Sequence, residues 1–304
     1  MKALDLLRTT KECLEQSSIE DAVREAETII AHCLTTDRTT LYRDNPQIPR
    51  DLAMKIDSIV ERRTKREPLQ YILGHVDFLG LKIKVGRGVL IPRPETEILA
   101  EEAIKTVKRK LLGVRKTFPH TSRFTPLRFL DLCAGSGCLA LSLAREFRDV
   151  QVYGTDTSAT AIQYAQENAA SNGIKNIIFM KGSLFEPVKE LTFDLIVSNP
   201  PYIKSNDIKD LQPEIKDWEP QDALNGGKDG LDYYRFIISS ASNYLNKEGY
   251  LMLEIGINQA DAVKCMAEDA VLKDIILIKD YSGIDRILIA KNNTLTKNKY
   301  NDWR

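Results

Sequence analysis

Phe193-Asp194-Leu195-Ile196-Val197-Ser198-Asn199-Pro200-Pro201-Tyr202 runs from an apolar segment straight into two consecutive prolines. Phe193 to Val197 has the length and composition of a buried parallel strand. Neither proline has an N–H for a sheet ladder, and each drives the residue before it towards extended geometry. The chain therefore leaves the strand's carboxyl end as a stiff turn, at the edge where open α/β sheets bind their ligands. The turn offers the Asn199 side-chain oxygen and the Pro200 carbonyl as neighbouring acceptors, with the Tyr202 ring close behind. Two such acceptors suit an NH2 group on a planar carbon, as in a carboxamide or a nucleobase amine. Holding both hydrogens turns the nitrogen lone pair towards an electrophile. A proline-rich strand exit with a structural asparagine is the plain alternative for this stretch alone.

Outward from it, the chain alternates strand and helix from Leu127 onwards. Strands are expected at Phe129–Leu132, Val150–Thr155, Ile177–Met180, Phe193–Ser198 and Gly249–Ile255. Two more, near Ile275–Lys279 and Arg286–Ala290, are separated only by a turn containing Ser282-Gly283. That link is too short for a helical crossover, so the sheet is expected to end in an antiparallel pair. The pattern is that of a doubly wound α/β domain, placed at residues 96–292.

After the first strand, Asp131-Leu132-Cys133-Ala134-Gly135-Ser136-Gly137 leads into a helix near Cys138, and Asp156 follows 19 positions after Gly137. Glycines permit a tight turn and close backbone approach, and a carboxylate at the next strand's end can bridge ribose hydroxyls. A dinucleotide-binding turn is the rival, but its G-x-G-x-x-G fingerprint has Ala140 at the third glycine. Taken with the acceptor-rich turn after the fourth strand, the motif fits S-adenosylmethionine, an electrophilic methyl donor beside a clamp for a planar NH2.

The first 74 residues read as a small helical domain. Leu4, Leu7 and Leu14 mark one helix. Ser18 looks like the N-cap of a second, with Ala22, Val23, Ala26, Ile29, Ile30, Cys33 and Leu34 on its apolar stripe. Asp51 precedes a third, with Leu52, Ile56, Ile59 and Val60 inward, and the charged run Glu61–Glu67 reads as a solvated helix end or a partner contact. Residues 75–95 form a hairpin connector with Gly80, Gly86 and Gly88, ending in a double-proline turn that feeds a helix to about Leu112. Residues 113–127 are expected as a surface loop, and the polar residues from Asn292, with 293–304 as the tail proper, as a frayed end.

The composition narrows the class. A chain of 304 residues with 43% apolar content can bury a large core. Acidic and basic residues balance at 43 each, which argues against gripping DNA through bulk charge. Three scattered histidines (His32, His75, His120) make no metal site, and five cysteines without CxxC spacing make no disulfide framework. With no apolar signal core and no membrane-length run, a cytoplasmic protein is expected.

Several stretches together carry a resemblance: Arg24-Glu25-Ala26-Glu27, Pro68-Leu69-Gln70-Tyr71-Ile72-Leu73-Gly74, Leu90-Ile91-Pro92-Arg93-Pro94-Glu95-Thr96-Glu97, Asn199-Pro200-Pro201-Tyr202, Glu219-Pro220 with Ala223-Leu224, and Asp229-Gly230-Leu231. From about residue 20 to 291 the chain resembles the HemK/PrmC-type protein-(glutamine-N5) methyltransferases, which modify the Gly-Gly-Gln glutamine of class-1 peptide chain release factors. The Asn-Pro-Pro-Tyr signature alone is shared with DNA adenine and RNA guanine methyltransferases, so a nucleic-acid exocyclic-amine methyltransferase is the alternative. A non-catalytic cofactor-binding scaffold is the other. The resemblance implies a class I S-adenosylmethionine-dependent methyltransferase fold, Rossmann-like, with a mixed seven-stranded sheet, behind a small N-terminal helical domain that recognises the substrate.

Position by position, the resemblance puts the nucleoside turn on Cys133, Ala134, Gly135, Ser136 and Gly137, the ribose carboxylate on Asp156, and the adenine side on Ser183 and Leu184. The substrate-amide clamp falls on Asn199, Pro200, Pro201 and Tyr202, with Asn199, Pro200 and Tyr202 in the catalytic role and Asn199 also near the donor. The family usually has glycine at Cys133 and often an acidic residue at Ser183. Of the remaining residues, Arg93 and Glu95 either line the substrate entrance or tether the next helix. Glu254 reads as structural, Trp218 with Glu219-Pro220 as either a lid over the substrate channel or a packed loop, and Tyr233-Tyr234 as core.

Overall fold

The computed structural model describes residues 1–117 and 127–293. Its first 75 residues fold as α1 (Ala3–Gln16), α2 (Ala22–Leu34), α3 (Arg38–Asp44), α4 (Arg50–Thr64) and α5 (Leu69–Leu73). The apolar stripes meet in one core, where Leu14, Ile29, Ile30, Leu41 and Ile56 are fully buried, although Val23, expected on the stripe of α2, is exposed. Ser18 is not the cap of α2. It closes α1, in the left-handed region at φ 56°, with its N–H on Glu15 and that of Ile19 on Leu14. This is a helix-ending motif completed by apolar contact between its last residue and the helix, and Ile19 and Leu14 are both buried. Asp51 lies inside the first turn of α4 rather than before it. The short α3, which periodicity does not reveal, is nucleated by Asp37, whose Oδ1 accepts the Thr40 N–H at 2.8 Å.

The second part begins with the hairpin strands β1 (His75–Phe78) and β2 (Leu81–Lys84), joined through Gly80 at φ 75°. Helix α6 spans Pro94–Thr117, so residues 113–117 continue a helix where a loop was expected, and 118–126 lie outside the described residues. There follow β3 (Arg128–Leu132), α7 (Cys138–Glu146), β4 (Gln151–Asp156), α8 (Ala159–Ser171), β5 (Ile177–Lys181) and β6 (Phe193–Ser198). Then come α9 (Pro213–Lys216), α10 (Asp232–Tyr244), β7 (Leu245–Glu254), α11 (Ala260–Asp269), β8 (Lys273–Lys279) and β9 (Asp285–Lys291). The seven larger strands form one sheet in the order β5-β4-β3-β6-β7-β9-β8. All pair in parallel except β9, which runs antiparallel to both β7 and β8. The reversal follows from the tight turn between β8 and β9, where Asp280 Oδ1 accepts the N–H groups of Ser282 and Ile284.

Residues 1–75, 85–87 and 212–218 group as one unit, and 76–84, 88–211 and 219–293 as the other. Within the first, Arg63 is buried and donates to Glu25 at 2.6 Å and pairs with Glu214 of α9 at 2.8 Å, while Arg66 reaches Glu214 at 2.7 Å. Part of the charged run at the end of α4 is thus internal scaffolding rather than a solvated surface. Within the second, Asn292 is not frayed: it is buried, its N–H bonds to Gly249, and its Nδ2 donates to Leu245 at 3.0 Å. Residues 294–304 lie outside the described residues. Among the described residues no helix is long and apolar enough to cross a membrane.

The sheet order makes β3 the strand at which the winding reverses: β4 lies on one side of it, and β6 on the other. Ligands of doubly wound sheets sit where the winding reverses, outside the strands' carboxyl ends. Here that edge is drawn tight by Ser198 Oγ, which donates to the Leu132 carbonyl at 2.7 Å.

Candidate active site

A cavity of about 380 Å³ opens at the carboxyl ends of β3, β4 and β6, entirely within the sheet-containing unit, a size usual for small-ligand sites. Cys133, Ala134, Gly135, Ser136, Asp156, Ser183, Leu184, Asn199 and Pro201 line it. Gly137, Pro200 and Tyr202 do not.

The turn after β3 explains the first group. Cys133, Gly135 and Gly137 all take positive φ, at 60°, 54° and 80°. For Cys133 this costs about 1–2 kcal/mol that a glycine would not incur. A Cβ on Gly135 would meet nothing within 4 Å, so the turn's backbone is open to the cavity there. Gly137 is the reverse case: it sits beneath the turn at the start of α7, and a Cβ would lie 2.8 Å from the Phe179 ring and 3.0 Å from Ala165. Asp131, almost wholly buried, accepts the Ala140 N–H at 3.1 Å and so caps α7 from the strand. Burial pushes its carboxyl well above the usual range.

Asp156 ties the two strand ends together. Its Oδ2 accepts the Gly135 N–H at 2.9 Å and its Oδ1 the Ser158 N–H at 2.8 Å. Burial raises its carboxyl, and these backbone N–H groups oppose the shift. The Thr157 N–H bonds to it as well, and a carboxylate has about four acceptor positions, so capacity remains for a hydroxyl group in the cavity. On the far wall, Leu184 is held at φ 44° with its carbonyl accepting the Thr155 hydroxyl at 2.8 Å. Glu186 Oε2, three residues on, accepts the Ser183 N–H at 3.3 Å, but Glu186 does not line the cavity.

The proline turn is organised from behind. Asn199 Nδ2 donates to Thr96 Oγ1 at 2.9 Å, Thr96 donates to Glu254 Oε2 at 2.7 Å, and the Tyr202 hydroxyl donates to Glu254 Oε1 at 3.3 Å. Glu254 is 1% exposed, and among the described residues no cation forms a salt bridge with it. Burial pushes its carboxyl from 4.5 up to about 7, against the two hydroxyl hydrogen bonds. Tyr202, expected on the substrate plane, thus turns its hydroxyl to Glu254, while its carbonyl accepts from Gln259 Nε2 at 3.0 Å.

Thr96 lines the cavity and escaped the sequence reading, although it lies in the quoted Ile-Pro-Arg-Pro-Glu-Thr-Glu stretch. The available signal was a polar residue on the buried face of an amphipathic helix. Tyr233 also lines the cavity, whereas Tyr234 is core, with its hydroxyl on the Glu254 carbonyl at 3.0 Å. Both stand at helical spacing from Ile237, Tyr234 at i,i+3 and Tyr233 at i,i+4, and Tyr233 packs against the edge of the same core. Arg93 acts as a tether: its Nη2 donates to both Glu219 oxygens at 2.8 Å, holding the segment whose Pro220, Asp222 and Ala223 line the cavity. Trp218 belongs to the other unit, where Arg87 stands 5.1 Å above its ring.

Two family models match the chain: the PrmC N-terminal domain over residues 5–74 and the methyltransferase small domain over residues 116–215. The release factor glutamine methyltransferase of Thermodesulfovibrio yellowstonii is 47% identical over 96% of this chain and 99% of its own length. That of Geobacter sulfurreducens is 43% identical over 93% and 94%. Among solved structures, a methyltransferase from Pyrococcus furiosus is 21% identical, covers 71% of this chain and 91% of its own, and has a TM-score of 0.48.

Proposed function

The chain belongs to the release factor glutamine methyltransferases, and from that membership we propose that it methylates N5 of the Gly-Gly-Gln glutamine in class-1 peptide chain release factors. The observation that carries the reading is the orientation of Asn199. Its NH2 is committed to Thr96, which leaves Oδ1 as an acceptor for the hydrogens of an incoming amide.

The cavity suits S-adenosylmethionine as methyl donor. A carboxylate with spare acceptor capacity at Asp156, an open backbone at Gly135 and an apolar wall at Leu184 match a nucleoside with ribose hydroxyls. When bound, the donor supplies an electrophilic methyl group on a sulfonium. Asp156 would hold the ribose, the turn from Cys133 to Gly137 the amino-acid portion, and Ser183 and Leu184 the adenine side.

The rest is done by the chain's own residues. Asn199 Oδ1 and the Pro200 carbonyl accept the two hydrogens of the glutamine amide, fixing its plane and aiming the nitrogen lone pair. Their attraction strengthens as the nitrogen gains positive charge, which favours the transition state over the bound substrate. Orientation of this kind supplies roughly 7–11 kcal/mol in favourable cases. Tyr202 holds the turn from beneath through Glu254. A glycine-flanked glutamine has little side-chain surface of its own, so we assign recognition of the folded factor to the helical residues 1–74. The compartment would be the cytoplasm, where release factors act.

The test is methyl transfer from labelled S-adenosylmethionine to a purified class-1 release factor, with its Gly-Gly-Gln glutamine replaced in a parallel sample and with DNA and structured RNA alongside. Label on the intact factor alone is expected. Label confined to nucleic acid would replace this reading with an exocyclic-amine methyltransferase.

A further inference from the structure

We propose that Thr96 and Glu254 are positioning residues that fix which end of the Asn199 carboxamide faces the cavity, and that this relay is a requirement of the methyl-transfer step. The inference rests on the function proposed above and deepens it.

The number of hydrogens each group can give fixes the direction of the relay. An ionised carboxylate only accepts. Glu254 therefore takes a hydrogen from each hydroxyl that touches it, Thr96 at 2.7 Å on one oxygen and Tyr202 at 3.3 Å on the other. A threonine hydroxyl has a single hydrogen. Once it is given to Glu254, Thr96 Oγ1 can only accept from its remaining neighbour, Asn199, 2.9 Å away. The carboxamide must then present NH2 to Thr96 and oxygen to the opposite side. The direction of every bond in the chain thus follows from the charge on one buried group, without any assumption about how the amide was oriented. Thr96 and Asn199 both line the cavity and Glu254 does not, so Glu254 acts through them.

Reversal of the relay would remove the clamp. A protonated Glu254 can donate to Thr96, whose hydrogen then turns to Asn199 and calls for its oxygen. The amide would rotate and line the cavity with an NH2, which repels the hydrogens it should accept. The groups facing Glu254 are Thr96 and Glu95 on α6, Tyr202 after β6, Cys138 on α7, Tyr234 on α10 and Arg286 on β9. Arg286 favours the charged form and Glu95 opposes it.

The experiment uses the full chain at about pH 8 with three proteins: wild type, Thr96→Val, which keeps the shape and removes the hydroxyl, and Thr96→Ser, which restores it. Methyl transfer to the release factor is measured, together with donor affinity by calorimetry and the Asn199 side-chain 15N–1H resonances. Thr96→Val is expected to lower kcat about 10- to 100-fold, with KM for the factor and donor Kd unchanged within about two-fold. Thr96→Ser is expected to recover most of the rate. One Asn199 side-chain proton should exchange slowly in the wild type and in Thr96→Ser, and rapidly in Thr96→Val. A Thr96→Val enzyme at full kcat, or a Thr96→Ser enzyme as slow as Thr96→Val, overturns the relay. A wild type that labels no release factor but keeps a protected Asn199 proton, lost in Thr96→Val, would overturn the proposed substrate and leave the relay standing.

Discussion

Replacing Glu254 by glutamine should make the protein's stability less sensitive to alkaline pH while making it a poorer enzyme. The carboxylate is buried without a salt bridge among the described residues, and burial lifts it from 4.5 to about 7. Between those two values the folded protein holds a proton that the unfolded chain releases. Stability from this group is therefore complete below about pH 4.5 and is lost as the pH rises through about 7. At about 1.4 kcal/mol per pH unit, the full loss is about 3 kcal/mol, of which about 2 kcal/mol falls between about pH 5.5 and 8.5. Glutamine has no such titration. The stability of Glu254→Gln relative to wild type should thus improve by about 2 kcal/mol across that window. Every other titrating group cancels in the comparison, as does the fixed cost of exchanging an oxygen for an NH2. Urea unfolding at both pH values measures it directly. A difference that stays flat to within about 0.5 kcal/mol would mean that Glu254 titrates normally, and would refute the reasoning from burial. The same variant should show a kcat that no longer rises with pH near 7, because an NH2 on residue 254 mimics the protonated acid facing Thr96.

Three further outcomes follow from particular contacts. Asn199→Ala should lower kcat by about 10²–10³, as loss of a transition-state hydrogen-bond partner does elsewhere; a full-rate enzyme in the release-factor assay would exclude the clamp. Gly137→Ala combines a φ of 80° with a Cβ only 2.8 Å from Phe179 and should cost about 2–4 kcal/mol by urea unfolding. Arg93→Ala leaves the Glu219 carboxylate buried without its partner. It should cost about 1–3 kcal/mol, more at pH 8 than at pH 5, because burial raises the Glu219 carboxyl and an unpaired acid can protonate at the lower pH. Equal losses at both would rule out the ionic tether.

Much of this protein is local in origin and so legible in the chain alone. Strand-length apolar runs define the sheet, and the five-residue gap between Lys279 and Asp285 requires an antiparallel edge whatever the rest does. Two prolines must end β6, and glycines must shape the turn after β3, because these are properties of single residues' backbones. The motifs at Cys133–Gly137, Asp156 and Asn199–Tyr202 are likewise contiguous or tied to strand ends, and most of their residues do line one cavity. What the chain alone leaves open concerns partners distant in sequence. Thr96 is 103 positions from Asn199 and Glu254 is 158 from Thr96, and no periodicity links them. Nor does any local pattern separate Tyr233, at the cavity, from Tyr234, in the core, or show that Tyr202 faces Glu254. Hydrogen-bond direction and the charge on a buried acid depend on everything that surrounds the group. Only the folded packing of α6, β6 and β7 decides which way the Asn199 amide points.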